Sequence, residues 1–210
     1  MSSVLVKALI DNSIVVTAVE TKDVVNKAIK LHDLSPVAGA ALGRTMTMAL
    51  MMGKELKNET DSLTVKINGG GPLGQITVTA DAKGNVKGMV DNPIVETQVS
   101  DNGHLNVGAA VGKDGYLTVI KDLGLKQPYV GSSKLVSGEI AQDFAYYFAT
   151  SEQQPCGVTL GVGLSKKKCI SAGGVFVQVM PNCSEELLSH VETVMYAMDE
   201  MSYQFDHSTA

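Results

Sequence analysis

The residues of this chain best suited to nucleophilic or metal chemistry are Cys156, Cys169 and Cys183 and the four histidines His32, His104, His190 and His207. Their spacing favours neither chemistry. A structural zinc site draws its thiolates or imidazoles from pairs about two to four residues apart, and no two of these cysteines are that close. No histidine has a second one at i+4. An odd count of three cysteines cannot close into a disulfide framework, so they read as buried or bystander thiols in a reducing compartment.

The glycines of Asn68-Gly69-Gly70-Gly71-Pro72-Leu73-Gly74 invite a second reading, a loop whose amides cradle phosphate. Such a loop opens a helix and ends in Gly-Lys-Ser/Thr. Here a strand-like run follows, and a hairpin turn fits better. No Gly-x-Ser-x-Gly elbow frames a catalytic serine. A small cytoplasmic enzyme using the Gly69 to Gly74 turn or Cys156 is the alternative to a non-enzymatic protein. Lys166-Lys167-Lys168, between two apolar runs, reads as a solvated turn.

Ten methionines form the remaining candidate set. Met46, Met48, Met51 and Met52 fall close together on one predicted helix, and Met195, Met198 and Met201 on another. Flexible thioethers suit a surface that accepts varied apolar partners, so Met46, Met48, Met51, Met52, Met195 and Met198 are candidate contacts for apolar polypeptide. Ordinary core filling is the competing reading and the favoured one for the first four.

Composition bounds what must position these residues. With 210 residues, 44% hydrophobic and 19% charged, the chain can bury enough apolar surface to fold around one main core. Its 17 basic and 22 acidic residues give a net charge of -5, which with no long basic block disfavours nucleic acid as a partner. Neither a secretory leader nor a continuous apolar stretch of about 18 residues is evident. The chain reads as cytoplasmic, without a membrane partner.

Two β-branched runs, Val4 to Ile10 and Ser13 to Val19, flank Asp11-Asn12 and predict an opening hairpin. Thr21 caps a helix ending near Asp33. Ser35-Pro36 opens a long helix to about Lys57, apolar on two sides and therefore sandwiched. Short runs at 63–67, 75–80, 86–90, 116–120 and 129–136 predict an antiparallel sheet. Ser137 and Glu139 open an amphipathic helix that stops before Pro155. Val158 to Leu164 and Ile170 to Met180 are two more strands. Ser184 caps a last helix whose apolar face, Leu187, Leu188, Val191, Val194, Met195 and Met198, has no evident partner. The fold class is α+β: antiparallel sheets packed with a long central helix and additional amphipathic helices.

Four segments carry a resemblance: SPVAGAALGR (35–44), GGGPLGQITVTADAKGNVKG (69–88), KQPYVGSSKLVSGEIAQDFAYYFATSEQQP (126–155) and AGGVFVQVMP (172–181). In this order they resemble the redox-regulated heat-shock holdase chaperones of bacteria, the thirty-three-kilodalton heat-shock protein family. The resemblance implies an ATP-independent chaperone core at 1–182 that binds unfolding or oxidatively damaged proteins, and the start of a helical linker at 183–210. It implies a homodimer. In the family, zinc is held by Cys-x-Cys and Cys-x-x-Cys pairs, and their oxidation releases the metal and uncovers an apolar surface. Those cysteines would lie beyond Ala210, so the expectation for this chain is no zinc, no redox module and a surface permanently available to clients.

Overall fold

The computed structural model describes residues 4–99, 103–181 and 183–205, with side chains through Met198 in the last helix. Its first two strands, β1 (Leu5–Ile10) and β2 (Ile14–Glu20), form the expected hairpin. Asp11 and Asn12 take φ of 47° and 52°, the left-handed conformation these short polar side chains tolerate. Helix α1 (Lys22–His32) follows and ends on Asp33, also left-handed. Thr21 does not cap it through its side chain; the hydroxyl meets Thr47 Oγ1 at 2.7 Å inside the core.

Helix α2 (Pro36–Gly53) begins at the expected proline and stops four residues short of Lys57, where the chain turns at Lys54–Leu56. All its residues except Pro36 and Arg44 are buried. Glycine allows that crowding. A Cβ at Gly43 would stand 3.0 to 3.1 Å from Val162 of one neighbouring strand and Val25 of α1, so a larger residue would push these elements apart.

The remaining strands are β3 (Ser62–Gly70), β4 (Ile76–Asp81), β5 (Val86–Val90), β6 (Gly112–Asp122), β7 (Tyr129–Lys134), β8 (Cys156–Ser165) and β9 (Lys168–Val179). They build two antiparallel sheets, ordered β1-β2-β9-β8 and β5-β4-β3-β6-β7. Helix α2 lies between them, touching β3, β4 and β5 on one side and β2, β8 and β9 on the other. The five-stranded sheet alternates as a half-buried sheet should. Val65, Ile67, Val78, Leu117 and Val119 are buried on its inner face, while Lys66, Thr79 and Ser132 face outward.

One short helix escaped the pattern reading, and the amphipathic helix expected before Pro155 is present with a different start. Helix α3 (Val107–Val111) is capped by Asn106 Oδ1, which accepts from Ala109 N at 2.8 Å. Helix α4 (Ala141–Tyr147) continues as a π turn over Phe148–Glu152. Ser137 and Glu139 do not open α4. Buried Asp143 organises its start, accepting from Val136 N (2.8 Å), Ser137 N (3.0 Å) and Ile140 N (3.0 Å). Glu139 instead ties Arg44 of α2, at 2.8 Å, to Gly108 N of α3, at 2.7 Å. The last helix, α5 (Glu185–Phe205), is capped by Ser184 Oγ as expected.

Candidate functional site

Strand β9 shows why the four-stranded sheet is unusual. Its parity places Ala172, Gly174 and Phe176 toward α2, with Gly174 Cα beside Leu160 and Thr47. The opposite face should be polar if it met only water. It is not: the register sets Val16 beside Val177 and Gly157, and Ala18 beside Val175 and Thr159, in rows across the outer surface. Ile14 is 0% and Val177 4% exposed, yet neither belongs to the core cluster around α2. A second apolar layer therefore exists outside the sheet.

Helix α5 forms that layer. It packs along β8, and Met195 covers Gly157. Leu187, Leu188, Val191, Met195 and Met198 are half-buried, while Glu185, Glu186, Glu192 and Thr193 are exposed. The face with no evident partner in the sequence thus meets the outer surface of the β1-β2-β9-β8 sheet, except for Val194, which points away and is 44% exposed. Among the described residues a groove of about 710 Å³ lies beside Met198, floored by Gly161, Gly173 and Val175 and rimmed by Val4, Val6 and Met198. Helix α5 therefore covers part of this apolar face.

The methionine candidates separate accordingly. Met46, Met48, Met51 and Met52 are between 0% and 4% exposed, so the contact reading for these four is corrected and they fill the core on α2. Met195 and Met198 border the outer face. The side chain of Met201 and all of His207 lie outside the described residues.

The alternative chemistry finds no geometry. Among the glycine-turn amides, Gly70 N is donated to Asn68 Oδ1, Gly71 N to Val111 O and Gly74 N to Gly71 O, leaving these three unavailable to an anion. Gly69 and Gly71 are required because the backbone of Val111–Gly112 lies against them. Burial pushes the Cys156 thiol up to about 12, which keeps it protonated and a poor nucleophile at neutral pH. Cys169 is buried and donates to Ser171 O, and none of the three cysteines is in a disulfide. Among the described residues no cluster of His, Cys, Asp or Glu could hold a metal ion. No described helix is long and apolar enough to cross a membrane. Lys166 and Lys167 form the β8–β9 turn, with Lys167 paired to Asp33 at 2.9 Å.

Comparison with known proteins bears on the whole chain. The sequence model of the Hsp33 protein family matches residues 3–209. The 33 kDa chaperonin of Alkaliphilus metalliredigens is 50% identical over 208 residues, covering 98% of this chain and 71% of that protein. The 33 kDa chaperonin of Clostridioides difficile is 54% identical over 172 residues, covering 82% of this chain and 59% of that protein. The crystal structure of the 33 kDa chaperonin of Thermotoga maritima superimposes with a TM-score of 0.85 at 35% identity, covering 89% of this chain and 64% of that one. The chain thus spans between 59% and 71% of the length of these relatives.

Proposed function

Because the chain belongs to the Hsp33 protein family, we propose that it is an ATP-independent holdase core that binds unfolding polypeptides on the outer face of its four-stranded sheet. One observation carries the reading: that face is apolar along β1, β2 and β9 and largely glycine along β8, with Val175 and Gly173 at the floor of a groove. Exposed apolar surface of a few hundred Å² marks an interaction site in a soluble protein.

Helix α5 is a removable cover in this reading. Its five facing side chains are half-buried, contributing about 1 kcal/mol each, and that gross gain is offset by the cost of ordering the helix. Displacement therefore costs little and exposes Ile14, Val16, Val177 and Thr159. The zinc-thiolate switch that the resemblance implies plays no part in this reading, which rests on residues 1–210 alone. A homodimer and a cytoplasmic location complete the reading, with neither nucleic acid nor membrane as a partner.

Light scattering of a heat-unfolded client decides the function. The chain suppresses aggregation at near-stoichiometric ratio without ATP. Unchanged aggregation, both with the chain as it is and with one carrying Val191→Glu to loosen α5, overturns the holdase reading.

A further inference from the structure

Strand β1 is the outermost strand of its sheet, and its edge is the least protected in the molecule's described part. Val4, Val6, Leu9 and Ile10 are 60%, 58%, 58% and 43% exposed. A free sheet edge is normally blunted by a bulge, a proline or an unengaged lysine. The β1–β2 register runs unbroken from Leu5↔Val19 to Ile10↔Ile14, whereas β3–β6 and β8–β9 both carry shifts. Strand β1 contains no proline, and its one lysine, Lys7, is drawn to Glu55 Oε1 at 2.7 Å. The other edges differ: β5 and β7 display the exposed Lys87 and Lys134, and β8 lies beside α4.

The direction of the free hydrogen-bonding groups follows from the ladder. Glu20 N donates to Val4 O at 2.9 Å, which places Val4, Val6, Ala8 and Ile10 in the pairs bonded to β2. In an antiparallel ladder the alternate residues turn their N–H and C=O away from the partner. Leu5, Lys7 and Leu9 therefore offer both groups along the open edge. Side chains on both faces of β1 are apolar, Val6 and Ile10 on one and Leu5 and Leu9 on the other.

We propose that the β1 edge captures client segments by β-augmentation, adding an extended strand through the backbone groups of Leu5, Lys7 and Leu9. The proposal rests on the holdase reading and extends its site, because Val4 and Val6 also form the rim of the open groove. The occupant it fits is apolar on both faces. Such continuous apolar runs belong to strands buried on both sides in a native fold, and they become available when that fold opens.

The test uses fluorescence anisotropy with a lysine-flanked hexapeptide of valine, isoleucine and leucine, and its analogue N-methylated at alternate residues. The wild-type chain binds the first and binds the analogue about ten-fold more weakly, as expected for losing two or three backbone hydrogen bonds. Leu9→Pro removes an outward N–H without touching the β2 ladder and weakens the unmodified peptide about ten-fold, while Leu9→Ala, which loses the same side chain and keeps the N–H, weakens it by no more than about three-fold. Equal affinity for the two peptides, or equal effects of the two variants, overturns the proposal. So does a change from dimer to monomer confined to Leu9→Pro in sedimentation, which would make the edge a contact between two copies. The peptide comparison on the unaltered chain holds even where Leu9→Pro misfolds. Suppressed client aggregation with no effect of N-methylation sinks the edge and leaves the holdase reading intact; no suppression by the wild type sinks that reading itself.

Discussion

Met195 lies directly over Gly157: a Cβ atom built on the glycine would stand 2.9 Å from Met195 Cε and 3.3 Å from Met195 Cγ. The absent side chain on β8 is therefore what lets α5 settle on the sheet. Gly157→Val places branched carbon where the thioether sits, and Met195→Glu puts a charge against an apolar face. Each weakens docking by about 1 to 2 kcal/mol, which raises the displaced population roughly ten-fold. The expected outcome is stronger suppression of client aggregation by both variants and faster proteolysis within 185–198, with the main unfolding transition little changed. Weaker suppression by both would mean that α5 is itself part of the client site.

Asp143 gives a test of the fold independent of function. Its carboxylate holds three backbone N–H groups at the turn before α4, and Ile140 within that turn has φ of 73°, a strained conformation for a β-branched residue. Asp143→Ala leaves those donors unsatisfied in the interior and costs about 3 kcal/mol. Asp143→Asn retains one acceptor oxygen and costs less. Urea denaturation of the three proteins should rank them wild type, Asn, Ala.

Much of this architecture is legible in the sequence, and the misses have specific causes. Ser35-Pro36 marks the start of α2, and alternation marks β3, β4 and β6. Helix α3 is too short for a periodic signal, and Asn106 is a cap only because the chain happens to turn there. Ser137 and Glu139 match a helix start in composition, but the donors they would cap are served by Asp143 and by neighbouring elements. The partner of α5 is hidden for a topological reason: its docking face is assembled from strands near both ends of the chain. A signal was present nonetheless. The run from Ile170 to Met180 does not alternate in polarity, which is the mark of a strand covered on both faces.

The Cys156 thiol gives a pH dependence whose sign follows from its burial. Its folded value of about 12 lies above the 9.0 of the unexposed-to-structure thiol, so the folded state retains a proton that the unfolded chain loses. That contribution is fully present below pH 9 and declines as pH rises toward 12, by at most about 1.4 kcal/mol per pH unit. Cys156→Val removes the linkage. Urea midpoints measured between pH 8 and pH 10.5 should fall more steeply for the wild type than for the variant, and parallel slopes would contradict a buried thiol. Native Cys156 should likewise be alkylated slowly at pH 8 and readily once unfolded.

Redox pretreatment separates the chain from the switch that its family resemblance implies. The described residues offer no metal cluster, Cys156 is a half-buried thiol that burial holds protonated and Cys169 is buried. Neither presents the exposed thiol that peroxide attacks first. Cys183 is partly exposed ahead of α5, and a thiol there can be oxidised to a sulfenic acid without releasing a metal. The expected outcome is less than about 0.1 zinc per chain after purification without chelator, since a structural site needs about four ligands. Client protection should be equal after reductant and after peroxide, and governed instead by how firmly α5 is docked. Cys183→Ser distinguishes the one remaining route. If peroxide activates the wild type and not Cys183→Ser, oxidation at the start of α5 is what loosens it; if both proteins respond equally to peroxide, the cover is controlled by residues other than Cys183, and the assignment of α5 as a redox-independent cover fails.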